Sequence, residues 1–392
     1  MRFPFAPSRC ALFAGSFVIL LAACSSNSVT FITGAGAGTA TGTGTSTGAS
    51  TGKGSSTSTT SAAGGSASSG GACPGDLAKA PGSAFCQANP TMTDCGIVSP
   101  NDKNQVCGVP IPTPTKALTR SSNVMEFAGS GPPDLSCFQP AGYPKAGTSK
   151  KVTMSGVAKI FSHGCSSNGL SIEVHTVKPD GSVDASTLVG SAVSTDPSSC
   201  MTGVAVSSSD CGTLYECKYS YPNVPTETEL VILTQGALWA PLYEYNDYIP
   251  DAEVMNGTWT HDVRALASDD YSLIPMAAIG SSVMTGYGVI AGEVHDGGNV
   301  RLTNATVGVN ALNEGLTYFD SDEANPLPDL SAMSTSDLSL YAAFDLAPGP
   351  VSVGALGLVG GKVTTVGYFP AYVYPNAVTV VTFQGVRPFQ VQ

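Results

Sequence analysis

The sequence predicts an all-β protein, with two related β units in tandem behind a flexible linker and a small cysteine-rich segment. Three observations predict it. The 392 residues include 45 Gly and 27 Pro, while only 12% are charged, a turn-rich and charge-poor balance that suits exported all-β chains. Short runs of strict apolar–polar alternation recur between clusters of turn residues, the pattern of half-buried strands. Finally, one order of strands and turns occurs twice between residues 146 and 392.

At the start, Arg2 and Arg9 flank an apolar run, Ala11 to Ala23, with small residues before Cys24. Residues 1–23 read as an export signal, since the run is shorter than the roughly 20 residues of a spanning helix. An ordinary cleavage site would fit Ala22-Ala23. Leu21-Ala22-Ala23-Cys24 also resembles the lipobox of bacterial lipoproteins. That resemblance implies a diacylglyceryl group on the Cys24 thiol, cleavage before Cys24 and acylation of its new amino group. Ser25 after the cysteine implies sorting to the outer membrane.

Residues 24–72 are dominated by Gly, Ser, Thr and Ala, as in TGTGTSTG at Thr41 to Gly48. Such a tract buries too little apolar surface to offset its ordering entropy and is expected to be disordered. Its mean span would be on the order of 40 Å. Gly48 to Ser55 looks like a phosphate loop, but its spacing is wrong and no strand or helix flanks it.

Residues 73–145 carry Cys73, Cys86, Cys95 and Cys107 in a Pro- and Gly-rich setting. In an exported chain these separations read as disulfides stapling a segment with little core, and zinc would want paired C-x-x-C spacing. Apart from Cys10 and Cys24, nine of the 11 cysteines remain. An odd number leaves at least one unpaired or intermolecular.

The first β unit is expected over 146–285 and the second over 286–392. In the first, VTMSGVAKI (Val152 to Ile160) leads through a turn to LSIEVHTV (Leu170 to Val177), then YSYPNVP (Tyr219 to Pro225) precedes ELVIL (Glu229 to Leu233). In the second, GVIAGEV (Gly288 to Val294) leads to ATVGVNA (Ala305 to Ala311), then AFDLAPGP (Ala343 to Pro350) precedes VSVGAL (Val351 to Leu356). Alternation points Leu170, Ile172 and Val174 inward in one unit, and Ala305, Val307 and Val309 in the other. VTVVTF, Val378 to Phe383, is the expected last strand.

GVIAGEVHD from Gly288, LTNATV from Leu302 and LAPGPV from Leu346 resemble the carboxypeptidase regulatory-like domain, a transthyretin-like β-sandwich akin to Cna protein B-type repeats. The likeness covers about 286–392 and, more loosely, 150–240. It implies two tandem transthyretin-like β-sandwich domains with no catalytic residues to carry over. Some Cna-type domains form a Lys–Asn isopeptide. Lys159 has no Asn partner in Leu230 to Gln235, and Asn376 has no Lys partner in Gly288 to Val294.

Between the units, WAPLYEYNDY (Trp239 to Tyr248) is dense in aromatics and acids. It reads as a packed connection or, if Trp239, Tyr243, Tyr245 and Tyr248 are exposed, as a ligand surface for glycan or protein. Val263, Leu266 and Ala267 have helical spacing, so a short helix is expected within His261 to Tyr271.

No catalytic set emerges. There is no G-x-S-x-G elbow, and each of the four His has a simpler account: His175 beside Glu173 on a solvated strand face, His163 and His295 in turns, His261 hydrogen-bonded beside Asp262. YFDSDEAN (Tyr318 to Asn325) lacks the Gly and distant Glu of a calcium loop. A net charge of −12 without a basic cluster excludes a nucleic-acid partner. The expectation is a noncatalytic, lipid-anchored envelope protein, periplasmic or surface-exposed, with no cofactor and with Cys24 as its membrane contact. It would act as a binding or scaffolding module. The alternative is an enzyme, or an enzyme's accessory domain, acting on extracellular or cell-wall polymers.

Overall fold

The computed structural model describes residues 103–106, 109–138, 145, 147–161, 164–202, 214–323 and 325–388. Cys24, the signal, the linker, His163 and Cys73, Cys86, Cys95 and Cys107 lie outside them. The fold is all-β, built of several sheets. Among the described residues, no helix is long and apolar enough to cross a membrane.

Three short strands come first: β1 (Lys103–Val106) pairs with β2 (Val109–Pro112), and β3 (Thr119–Arg120) pairs much later in the chain. The first unit follows with β4 (Lys151–Phe161), β5 (Ser171–Thr176), β6 (Val193–Ser194), β7 (Met201–Thr202), β8 (Tyr215–Pro225), β9 (Glu229–Gly236), β10 (Trp239–Tyr248), β11 (Thr258–Thr260) and β12 (Val263–Ala267). Helix α1 (Asp270–Ile279) leads to the second unit. That unit comprises β13 (Gly288–His295), β14 (Leu302–Thr303), β15 (Thr306–Val309), β16 (Gly315–Phe319), β17 (Pro328–Asp329), β18 (Leu340–Leu346), β19 (Gly349–Val359), β20 (Lys362–Val373), β21 (Val378–Val381) and β22 (Phe383–Gln384).

The repeat seen in the sequence is a repeat of pairing. In the first unit β4 pairs antiparallel with β8, β5 with β9, and β9 with β10. In the second β13 pairs with β18, β15 with β19, and β19 with β20. Each unit then returns a split strand parallel to its first one: β11 and β12 beside β4, β21 and β22 beside β13.

At each split the ladder is interrupted without a shift of register, and one carbonyl of the returning strand, of His261 or of Val381, lies on a glycine of the first strand. A Cβ on Gly156 would meet the His261 oxygen at 1.9 Å, and one on Gly292 would meet the Val381 oxygen at 1.9 Å. Only glycine leaves room for so close a backbone approach. A tyrosine cross-paired with each glycine then satisfies the carbonyl. Tyr219 donates to His261 O at 2.6 Å, and Tyr341 donates to Val381 O at 2.7 Å.

The expected inward faces are borne out. Leu170, Ile172 and Val174 join Met154, Tyr221 and Ile232 in the first core, while Val307 and Val309 join Ile290, Val353 and Phe369 in the second. Each fully buried aliphatic contributes about 1.5–3 kcal/mol of transfer free energy. A third apolar cluster lies under α1, where Ile274 and Ala278 cover Val289, Phe344 and Val378.

Three features differ from the sequence reading. No gap in the sheet separates the units at 285, because β10 pairs with β9 on one side and, parallel, with β21 on the other, Leu242 opposite Val378. Val109, Ile111 and Leu118 of the cysteine-rich segment are buried in the second unit's core. Val263 to Ala267 form strand rather than helix, since parallel pairing with β4 overrides a helical spacing carried by five residues, and α1 starts only at Asp270.

Among the described residues Cys200 is joined to Cys217, and Cys165 is also disulfide-bonded. Cys137 is free. Burial pushes its thiol up to about 12.

Candidate functional site

A cavity of about 1020 Å³ is bounded by the first strands of both units, by β10, and by the 125–127 stretch before the first unit. Its walls are unusually charged for a protein interior, and the charges form two groups.

The first group is compensated. The Glu126 carboxylate accepts from Lys159 and from Arg264 Nη2 at 2.8 Å, and Lys159 also lies 3.1 Å from Asp262. Burial pushes the Glu126 carboxyl up, but the two cations outweigh it and hold it down at about 2. Nearby, Glu293 accepts from Arg301 Nε at 2.8 Å and lies 2.7 Å from His295 Nε2; Arg301 also donates to Glu323 at 2.9 Å. Burial again opposes, and these partners hold Glu293 well below the usual carboxylate range. The acidic Tyr318 to Asn325 stretch thus sends Glu323 inward to Arg301, where the sequence suggested solvated charge.

The second group is only loosely paired. Glu244 Oε2 and Asp247 Oδ1 each lie 3.9 Å from His261 Nε2, beyond hydrogen-bond reach. Glu244 Oε2, Asp247 Oδ2 and His261 Nε2 are all buried without a hydrogen-bond partner. The side chains of Glu244, Asp247 and His261 keep only 16, 11 and 17% of their exposure, so water does not relieve them freely. Burial, then the Glu244 charge, raises the Asp247 carboxyl well above its usual range. Burial lowers the His261 imidazole, but Glu244 and Asp247 outweigh it and raise it.

Two backbone irregularities bring this trio together. Along a regular strand, residues three apart face opposite ways. Between Glu244 and Asp247 the register of β10 shifts, with Asn246 at φ +69°, and both carboxylates reach one side. Asn246 secures the bulge by donating to Thr382 O at 2.8 Å. His261 sits at the break between β11 and β12, where the ladder with β4 is interrupted in unchanged register. Its N–H donates to Ser155 O at 2.9 Å, its carbonyl accepts from Tyr219, and its ring stacks on Trp259 at 4.6 Å. Alternation alone places none of these three together, and only the acid-rich composition of Trp239 to Tyr248 hinted at them.

The four aromatics of that stretch do not form one open shelf. Trp239, Tyr245 and Tyr248 are buried. Trp239 packs in the first core, and Tyr248 donates to Glu227. Tyr245 donates to Gly181 O at 2.8 Å. Tyr245 and Tyr248 border the cavity. Tyr243 is half-buried and stacks on Tyr374 at 3.8 Å. His175 is not on a solvated face: the Asp184 to Thr187 turn covers it, with Asp184 O at 3.2 Å and Thr187 Oγ1 at 3.1 Å from Nδ1.

No family model and no curated protein matches the chain. Among solved structures it is similar to a shaft pilin from Lactobacillus rhamnosus GG. The identity is 8% and the TM-score 0.17, over 60% of this chain and 100% of that one. So slight a likeness carries nothing about site or activity.

Proposed function

We propose that this chain is a noncatalytic, lipid-anchored cell-envelope protein whose folded part, two carboxypeptidase regulatory-like sandwiches, binds a ligand in the cavity beside His261. The observation that carries the binding reading is the trio of buried, unpartnered polar atoms on the cavity wall. Unmet buried polar groups cost about 1–3 kcal/mol each, a penalty that a bound polar ligand relieves. A glycan or a peptide suits a wall that offers cations and carboxylates together. The anchor reading rests on Leu21-Ala22-Ala23-Cys24 following a basic-then-apolar leader, with a tether of residues 24–72 between membrane and binding site.

Two measurements test it. Cells supplied with labelled palmitate should label the wild type and not Cys24→Ala, and a wild type that is unlabelled and freely soluble overturns the anchor. The purified mature chain should bind a member of a glycan and peptide panel saturably without consuming it, and Asp247→Asn should abolish that binding with the fold intact. Because a histidine and two carboxylates face a cavity, a second reading is an enzyme on cell-wall or extracellular polymers. Turnover of a panel member that is lost in Glu244→Gln would establish it over the first.

A further inference from the structure

We propose that Glu244, Asp247 and His261 form a binding site for a divalent transition-metal ion of the zinc class. Among the described residues they are the one group of three such side chains whose ligand atoms all lie within 4.8 Å of one another. An ion with bonds of about 2.1 Å in tetrahedral geometry holds its donors about 3.4 Å apart. The imidazole is 3.9 Å from either carboxylate, so rotamer adjustments of under about 1 Å close the shell around an ion.

The site asks for a cation. Asp247 is 8% exposed, yet Oδ2 has no hydrogen-bond partner, and neither have Glu244 Oε2 and His261 Nε2. The chain's own cations on the same wall are engaged elsewhere: Lys159 with Glu126 and Asp262, Arg264 with Glu126, Arg301 with Glu293 and Glu323. Arg387, whose charge reaches Asp247 through space, donates to Gln384. The donor set decides the kind of ion. One imidazole with two carboxylates suits zinc and its neighbours, whereas calcium and magnesium take oxygen ligands alone.

The donors are also held in place. The His261 backbone is fixed on both sides by Ser155 and Tyr219, its ring lies against Trp259, and the β10 bulge is pinned through Asn246. Such support orients ligands before the metal arrives. Three protein donors leave a tetrahedral ion one position for water or for an oxygen of a cavity ligand. That last role rests on the binding function proposed above; the metal site itself stands on the three side chains.

The test uses the full mature chain in detergent, stripped with a chelator and titrated with Co²⁺ as a spectroscopic probe. One Co²⁺ per chain should bind, with visible bands of nitrogen–oxygen coordination, and stoichiometric Zn²⁺ should displace it while excess Mg²⁺ and Ca²⁺ do not. His261→Gln and Asp247→Asn should each weaken uptake by about 100-fold or more, since even supporting residues around metals contribute 10–100-fold. His261→Val, which places the residue found at Val381 at the equivalent strand break, serves if His261→Gln misfolds, with circular dichroism checking the fold. The proposal is overturned by a wild type that takes up no ion, by uptake that survives both substitutions, by a preference for Ca²⁺ or Mg²⁺, or by the charge-transfer band of a cobalt thiolate at Cys137. Panel binding by the metal-free and the zinc-loaded chain is measured separately. If zinc binds but no panel member does in either state, the cavity-ligand reading falls and the metal site remains.

Discussion

In the first unit the carbonyl that accepts from Tyr219 at the strand break belongs to His261, and Asp262 follows it; in the second, the carbonyl that accepts from Tyr341 belongs to Val381, and Thr382 follows it. The backbone device is the same, down to the glycine beneath the oxygen. The side chains differ in consequence. Val381 points into the second core, so its strand break only closes a sandwich. His261 points at Glu244 and Asp247 and places an imidazole on the cavity wall. The same close approach of a strand to a glycine is thus structural in one unit and site-forming in the other.

The hardest way to break the comparison is to remove the space both carbonyls need. Gly156→Ala and Gly292→Ala each force a methyl group onto a carbonyl oxygen, and each should cost on the order of 4 kcal/mol or prevent folding. Urea unfolding of the two variants should show similar losses, because the clash is the same at 1.9 Å. A loss in only one unit would mean that the devices are not equivalent.

Next comes a feature of the first unit alone. The Cys200–Cys217 disulfide closes a short loop, 17 residues apart in sequence, which constrains the unfolded chain by about 3 kcal/mol. Cys200→Ser with Cys217→Ser should lower the unfolding free energy from urea titration by about that amount. The site at His261 should stay assembled, since its supports lie on β4, β8 and β10.

Smaller effects are expected from the tyrosines. Tyr341→Phe and Tyr219→Phe leave the carbonyl of Val381 or His261 without its donor, at about 1–2 kcal/mol each. Only Tyr219→Phe should also loosen the site, seen as weaker cobalt uptake alongside the shift in unfolding midpoint. Equal effects of both on cobalt would remove the distinction between the units.

The smallest effect is a pH dependence. Glu126 is held at about 2 in the folded chain against an unfolded value near 4.5. A depressed carboxyl contributes stability that is present above its unfolded value and lost as pH falls toward its folded one. Unfolding measured between pH 4.5 and 2 should therefore show a decline that Glu126→Gln makes shallower. Glu126 keeps a third of its side-chain exposure, so solvent screening makes the change modest.

Alternation was enough to find what depends on alternation. The inward faces at Leu170 to Val174 and Ala305 to Val309, and the doubled order of strands, follow from a period of two and turn chemistry. The site does not. A shifted register in β10 puts Glu244 and Asp247 on one side, and a broken strand carries His261 to them; neither irregularity leaves a periodic trace. Five residues, Val263 to Ala267, were too few to separate helix from strand without knowing that β4 lay alongside. The burial of His175 depended on a turn, Asp184 to Thr187, folding back over it from farther along the chain.

Strand β10 belongs to both units, bonded to β9 before it and to β21 from the far end of the chain. For a chain that emerges N-terminus first, this edge stays open until nearly the whole second unit has arrived. The carboxylates Glu244 and Asp247 wait there beside an unpaired backbone, and assembly of the site is timed to the last strands. Truncating the chain before Val378 should therefore produce a species prone to edge-to-edge association, with the first unit unable to finish folding by itself.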